Sequence, residues 1–454
     1  MPFTSINPAN GESFSTTPSW SEGDIERALS QVSASSKAWK ANSYDQRANY
    51  MREAAKVLRK NKAQLSQLIS LEMGKLLSEA NGEVEKSALG LEHYADNAER
   101  FLTPEVIQSD ASKSYVTYQP LGTIFAIMPW NFPFWQVFRF IAPALMAGNT
   151  AILKHASNVP LCALAIEQCF VEAGVPENIF RSFMINSSQV APIIADSRIH
   201  AVTITGSTPA GQSVAAQAGK HLKKSVLELG GSDPFIVLED ADLTMAIKSA
   251  ITSRYMNCGQ SCIAAKRFIV VDKVADQFID QFKIAVESLK FGDPSLPETS
   301  LAPMARHDLR DELHKQVMSA VSQGAHIVTG CTPIDHPGAF YTPSIFTNID
   351  KNNLAYSEEL FGPVASIFRA KNEAEAVSIA NDSQFGLGGS VWTQDSERGE
   401  NVALKLECGS AFVNGMVKSD PRLPFGGIKT SGYGRELSHE GIKEFVNTKT
   451  IWIK

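Results

Sequence analysis

Long apolar runs are missing from this sequence. No stretch approaches the ~18 residues that cross a bilayer. The amino end, Met1-Pro2-Phe3-Thr4-Ser5-Ile6-Asn7-Pro8, shows no basic segment leading into an apolar one. The expectation is a cytoplasmic protein. Cysteine is also sparse: six residues, none in a C-x-x-C pair, which argues against a disulfide framework or a zinc site. No metal is expected. Cys162 and Cys169, seven apart in an apolar helical stretch, read as core thiols. Charge of one sign is lacking too. The 42 Lys plus Arg stand against 48 Asp plus Glu and the basic residues are scattered, so nucleic acid and anionic membrane are excluded as expected partners.

What is present is the material of a multidomain enzyme. At 454 residues the chain exceeds what one core accommodates, and its 44% hydrophobic and 20% charged residues match ordinary soluble proteins. Residues 21 to 101 read as charged helices, with Leu58, Leu65 and Leu68 at helical spacing and Gly74 as punctuation. From Tyr115 the texture becomes β-rich, with a buried strand over Thr123 to Met128. Strand and helix then alternate: strand at Thr150, helix from Pro160, strand at Ala201, helix from Pro209, strand at Ser225. A second alternating set follows Gly231, with strands at Phe235 and Arg267 and helices from Asp242 and Ala275. Such alternation predicts parallel sheets with crossover helices. The fold class is therefore α/β with two doubly wound lobes. The terminal strand Val446 to Ile453 has two possible partners, the early Tyr115 strand or another subunit's sheet, and the second is favoured.

The sharpest chemical feature is Asn257-Cys258-Gly259-Gln260-Ser261-Cys262, a glycine-broken turn where the two lobes meet. A thiolate there is a strong nucleophile toward carbonyl carbon when a base or backbone dipoles support it. Several other segments join it: Pro129-Trp130-Asn131-Phe132-Pro133, Thr205-Gly206-Ser207-Thr208-Pro209-Ala210-Gly211, Glu228-Leu229-Gly230-Gly231, Glu358-Glu359-Leu360-Phe361-Gly362-Pro363-Val364, and Pro424-Phe425-Gly426-Gly427 with Ser431 to Glu436. In content, order and separation these resemble the aldehyde dehydrogenase superfamily along essentially the whole chain.

That resemblance implies an aldehyde-dehydrogenase-like fold, with 1–100 and 121–231 as dinucleotide-binding domain, 232–433 as catalytic domain, and 101–120 with 434–454 as a β oligomerisation arm. It implies Cys262 as nucleophile, forming a thiohemiacetal and then a thioester. Cys258 reads as a small packed group, or a partner in a protective disulfide under oxidation. Asn131 would donate to the oxyanion with the Cys262 backbone N–H; its alternative is a cap on a turn between prolines. Glu228 would be the general base for thioester hydrolysis, with a raised pKa. For the cofactor, Gly206, Ser207 and Gly211 open a helix after a strand, a phosphate-binding arrangement. Trp130, Lys154, Gly230, Glu359 and Phe361 match further cofactor contacts. Ser157, where NAD-preferring members often carry Glu, leaves room for a 2′-phosphate, so NAD and NADP are both expected.

Within the family the chain is most similar to the bacterial enzymes that oxidise succinate semialdehyde. This implies a short aldehyde with a distal carboxylate, held by Arg139 and Ser419. Arg139 has a second reading as a structural arginine on the helix after Pro133. Met256 stands where some members have a second arginine, which loosens that hold and admits longer or less polar aldehydes. The alternatives are a broad-specificity aliphatic or aromatic aldehyde dehydrogenase, a cysteine hydrolase, and a binding protein without turnover. A homodimer or homotetramer is expected.

Overall fold

The computed structural model describes residues 2–454. Two large sheets organise it. The first runs in the order Gly432–Tyr433, Lys224–Glu228, Ile199–Thr205, Thr123–Met128, Thr150–His155, Phe180–Ser182. All its pairs are parallel except the one made by Gly432–Tyr433. The second runs His326–Thr329, Ser344–Thr347, Val364–Ala370, Ala265–Val271, Asp233–Val237, Gly388–Trp392, Ser410–Val413, parallel apart from its first pair. Helices cover both faces of parallel sheets, so the strands are buried on both sides. Asp233–Val237 and Ala265–Val271 are buried at every residue.

The expected alternation of strands and helices is present over residues 113–289, with shifts of a few residues at element ends. Two features differ from expectation. Residues Phe3–Ile6 and Ser13–Thr17 form an antiparallel hairpin that the sequence pattern did not suggest. The terminal strand Val446–Ile453 pairs along its length with Lys113–Pro120 of the same chain, the less favoured of the two expected partners, and stands at the edge of that sheet with its other side unpaired among the described residues. The strand has eight consecutive partners available without waiting for a second copy, at no cost in association entropy.

Four helices precede the first sheet: Glu22–Ala41, Tyr44–Lys60, Lys62–Met73 and Leu77–Phe101. The third stops at Gly74, whose φ of 80° is a left-handed cap that glycine adopts without Cβ strain. Along Leu77–Phe101 the buried Ala80, Val84, Ala88, Leu91, Ala95 and Ala98 recur at three- and four-residue steps, making one apolar stripe. That stripe packs on the helix Trp135–Met146, which is buried on all sides. Glu83 ties the two together: its Oε1 accepts the N–H groups of Phe134 and Trp135 at 2.8 and 3.0 Å. A carboxylate at a helix N-terminus satisfies orphan donors and meets the positive end of the dipole. Thus Leu77–Phe101, though early in sequence, becomes a wall of the crevice where both sheets present their working ends.

Candidate active site

In the first sheet the strand order reverses between Ile199–Thr205 and Thr123–Met128, and open α/β sheets bind ligands in the crevice beyond the carboxyl ends of strands at such a reversal. The residues that follow these ends are Gly206-Ser207 and Pro129-Trp130-Asn131. They line a cavity of about 330 Å³ together with Gly230, Glu359, Phe361 and Cys262. A second cavity, about 280 Å³, is lined by Lys86, Trp135, Arg139, Met256, Ser419 and Cys262 among others. Cys262 and Gln136 are the two residues common to both walls.

The segment that delivers Cys262 is conformationally unusual. After the helix Leu243–Tyr255, Asn257, Cys258 and Gly259 all take positive φ, 54°, 55° and 72°. Left-handed backbone costs a non-glycine residue roughly 1–2 kcal/mol, so two in succession need support from outside. Asn257 receives it: its Nδ2 donates to Asn131 O at 2.8 Å and Gln260 O at 3.1 Å, and its backbone N–H donates to Glu79. Arg254, fully buried, holds the same loop by donating to the carbonyls of Gly259, Leu360 and Gly362. It therefore points away from the cavity.

Cys262 sits half-buried with Lys266 Nζ donating to its carbonyl oxygen at 2.9 Å. Among the described residues, its backbone N–H meets no protein acceptor. Burial pushes its thiol up to about 12, against the opposing pull of Arg139 and Lys266, so the thiol holds its proton in this state. Cys258 is fully buried and its thiol too is pushed up by burial, then by Glu79. All six cysteines are free. Cys162 and Cys169 are buried in the helix Pro160–Glu172. Asn131 donates one Nδ2 proton to Gln260 O at 2.9 Å, while its Oδ1 accepts from Gln136 at 3.1 Å. The second Nδ2 proton has no protein acceptor among the described residues, so one donor remains for a ligand oxygen.

Glu228, at the end of strand Lys224–Glu228, is fully enclosed, and both its carboxyl oxygens lack a hydrogen-bond partner. Burial raises its pKa well above the ordinary carboxylate value, and the neighbouring Glu436 raises it further, opposed by Arg139 and Arg435. Its carboxyl lies against Gly426, where an added Cβ would be 2.6 Å from Oε1. It stands off the walls of both cavities. The structure thus gathers Cys262 and Asn131 at one wall and sets Glu228 behind it.

Of the residues assigned to the cofactor, Trp130, Gly206, Ser207, Gly230, Glu359 and Phe361 line the first cavity. Ser207 caps the helix Thr208–Lys220 without a side-chain hydrogen bond to it, leaving N–H groups at the helix start for an anion. Trp130 and Phe361 meet edge to face, centroids 5.9 Å apart. Glu359 pairs with the buried Lys266 at 3.0 Å and accepts the Gly231 N–H. An added Cβ on Gly230 would meet Glu359 Oε2 at 2.4 Å, so a side chain there would displace the Glu359 carboxylate. Gly211 is placed differently: a Cβ there would lie 2.4 Å from Leu229, and its smallness serves helix-to-strand packing. Lys154, near the end of the strand Thr150–His155, and Ser157, just beyond it, lie outside that cavity's wall; Ser157 is exposed, and burial lowers the Lys154 ammonium.

Among the substrate residues, Ser419 and Met256 face the second cavity. Arg139 also lines it, but its guanidinium forms a buried ion pair with Glu436, lies 4.5 Å from the Phe425 ring and donates to Thr205 at 3.3 Å. That is the environment of a structural arginine. Sequence reasoning missed Lys86, Glu79 and Lys266. The first two sit on a helix with no motif; Lys266 is four residues beyond Cys262, and only the fold shows it gripping the Cys262 peptide.

The helix-phosphate cradle and apolar ring slot suit a dinucleotide, and comparison with known proteins points the same way. The model of the "Aldehyde dehydrogenase family" matches residues 1–451. A protein of Synechocystis named "Probable succinate-semialdehyde dehydrogenase", with NADP(+) in its name, is 49% identical over 453 residues, covering 100% of both chains. A succinate semialdehyde dehydrogenase of Escherichia coli, named for NAD(P)+, is 47% identical over 448 residues, covering 99% of this chain and 97% of its own. The crystal structure of the Streptococcus pyogenes succinic semialdehyde dehydrogenase in complex with NADP+ superposes with a TM-score of 0.98 at 39% identity, covering 99% of each chain.

Proposed function

The chain belongs to the aldehyde dehydrogenase family, and from that premise we propose that it oxidises succinate semialdehyde, or a similarly short carboxylated aldehyde, to the carboxylic acid with NAD or NADP. The observation that carries this reading is that Cys262 lines both cavities, so an aldehyde entering from one side and a cofactor from the other meet at one sulfur. Relatives named for this substrate align over their full length, which supports the choice of aldehyde.

In the proposed reaction Cys262 gives its proton to solvent water in the cavity and Sγ bonds to the aldehyde carbon, the carbonyl π pair moving to oxygen to give a thiohemiacetal whose oxygen carries the negative charge. The free Nδ2 proton of Asn131 and the Cys262 N–H bind that oxygen. NAD or NADP, when bound, supplies the hydride acceptor. Trp130, Gly206, Ser207, Gly230, Glu359 and Phe361 would hold it, with Lys154 and Ser157 toward the adenosine end. Loss of hydride leaves a thioester on Cys262. Glu228 takes a proton from the water that attacks this thioester, and the carbon–sulfur bond breaks to release the acid. For that step its side chain turns from Gly426 toward Cys262.

No helix among the described residues is long and apolar enough to cross a membrane; we place the protein in the cytoplasm. We also propose a homodimer or homotetramer. Lys113–Pro120 pairs on one side with Val446–Ile453 and on the other with Glu105–Val106, and Trp452 and Ile453 at one edge of this small sheet, with Val106 and Ile107 at the other, are exposed apolar side chains that association would cover.

A second reading, a broad-specificity aldehyde dehydrogenase, is favoured by the Arg139–Glu436 pair and by Met256 at the cavity wall. Rates with succinate semialdehyde, glutarate semialdehyde, butanal and hexanal, each with NAD and with NADP, separate the two. The proposal expects the highest kcat/KM for a carboxylated aldehyde. Equal kcat/KM for hexanal and succinate semialdehyde would replace it with the broad reading.

A further inference from the structure

A distal carboxylate entering the second cavity needs a cation, and Arg139 is already paired with Glu436. Three other lysines lie near this crevice. Lys75 is engaged by Glu83 and the Asn131 carbonyl, Lys266 by Glu359 and two carbonyls, and Lys418, although on the same cavity wall, is solvent-exposed, where water screens its charge. Lys86 remains. It lines the cavity and has no carboxylate partner among the described residues. Its Nζ stands 4.4 Å from the Trp135 ring centroid.

The hydrogen bonds around it have a definite direction. Lys86 Nζ donates to Ser419 Oγ at 2.8 Å, and Trp135 Nε1 donates to the same oxygen at 2.9 Å. Both Ser419 lone pairs are therefore occupied, which forces its own hydroxyl proton outward as a donor. No protein acceptor takes that proton among the described residues. Two Lys86 N–H groups are likewise without one. The cluster is a cation and a hydroxyl with donors only on the wall of the cavity, and an anion acceptor completes it.

We propose that Lys86 and Ser419, aligned by Trp135, seat the substrate's distal carboxylate, with Lys86 as the residue that selects carboxylated over neutral aldehydes. The proposal rests on the succinate-semialdehyde reading above. The helix Leu77–Phe101 carries the cation in, and its other cavity-facing members set the field. Glu83 is committed to Lys75 and the Trp135 helix start. Asp420 is held by Arg422, so neither neutralises Lys86 directly. Burial lowers the Lys86 ammonium to about 8, with Arg139 and Lys418 lowering it and Glu83 and Asp420 opposing. Glu79, one helical turn before Glu83 and also on the wall, is raised by burial to about 7.

The test measures kcat and KM for succinate semialdehyde and butanal, equal in carbon number, with wild type, Lys86→Met and Lys86→Arg at saturating NADP. Lys86→Met is expected to raise KM for succinate semialdehyde about ten- to hundred-fold, while butanal moves less than about three-fold. Lys86→Arg keeps the charge and is expected to retain most of the affinity. In wild type KM for succinate semialdehyde rises as pH passes about 8, because the ammonium is lost. That rise vanishes in Lys86→Arg, whose guanidinium does not titrate there, whereas any change centred near 7 from Glu79 persists. Equal effects of Lys86→Met on both aldehydes, or an unchanged pH profile in Lys86→Arg, would overturn the role of Lys86. Should Lys86→Met fail to fold, the Lys86→Arg profile decides alone. Wild type that turns over butanal as efficiently as succinate semialdehyde overturns the substrate reading instead.

Discussion

The two cavities that share Cys262 are built by different means. The proposed cofactor side is assembled mainly from strand ends, with one face of the helix His307–Ser322 opposite them: Thr205 leads to Gly206-Ser207, Met128 to Trp130-Asn131, and Glu228 to Leu229-Gly230. Each strand-end contribution is a short contiguous segment. The aldehyde side is assembled from helix faces and a late loop, with Lys86 from Leu77–Phe101, Trp135 and Arg139 from the next helix, and Ser419 from the chain's last tenth. Lys86 and Arg139 reach the cavity as single side chains whose immediate neighbours in sequence lie off its wall. Strand ends impose chemistry on backbone and side chain together, whereas helix faces leave only one residue in three or four to carry it.

This contrast sorts mutations. Residues at the shared wall should affect every aldehyde with either cofactor alike, and residues of one side should affect only that ligand. The largest effect belongs to Cys262→Ala, expected to lower turnover at least about 10⁴-fold for all substrates. A variant that still reduces cofactor at a measurable fraction of the wild-type rate would remove the shared wall altogether. Glu228→Gln comes next, with kcat down about 10² to 10⁴-fold. The first equivalent of reduced cofactor should still appear as a burst in stopped flow, because hydride loss precedes the step that needs the base. Glu228 accepts a proton only when ionised, and burial with Glu436 holds its pKa above the usual carboxylate range. Steady-state kcat should therefore rise with pH in wild type and lose that dependence in Glu228→Gln. Loss of the burst itself would place Glu228 before hydride transfer.

Asn131→Ala removes one of two oxyanion donors and should cost about 10² to 10³-fold in kcat, equally for succinate semialdehyde and butanal. A preferential loss with one aldehyde would mean that Asn131 reads the substrate rather than the reacting oxygen. Its side chain also bonds Gln260 and Gln136, so a thermal melt of the variant separates loss of a donor from loss of the loop.

The same contrast explains what the sequence made legible. The two sheets, their crossovers and the meeting point near Gly231 follow from alternating patterns, because parallel strands buried on both faces read as compact apolar runs. The strand-end residues were legible through their motifs. Arg139 was legible as a residue but not as an environment: its partner Glu436 is 297 positions away, and only the fold brings that carboxylate to the cavity. Lys86 is one lysine in a charged helix, indistinguishable by pattern from those that face solvent. The left-handed run at Asn257 and Cys258 was likewise hidden, since neither residue announces a positive φ as glycine does. The terminal strand's intrachain pairing shows the same limit, as an edge strand's sequence does not say which edge it joins.

The smallest effect in the series tests the cofactor side at its least enclosed point. Ser157 is exposed beyond the strand Thr150–His155 and close in sequence to Lys154. A carboxylate introduced there by Ser157→Glu would accept from ribose hydroxyls and repel a 2′-phosphate. Because the site is solvent-accessible, the repulsion is screened, and a ten- to hundred-fold fall in kcat/KM with NADP is expected, with NAD unchanged or improved. KM for succinate semialdehyde at saturating cofactor should not move, since Ser157 is on neither wall that meets the aldehyde. The fall should shrink as ionic strength rises from 0.05 to about 0.5 M, the mark of an exposed charge. Equal losses with NAD and NADP would mean that this loop supports the strand end rather than reading the phosphate. The boundary of the cofactor side would then lie at Ser207.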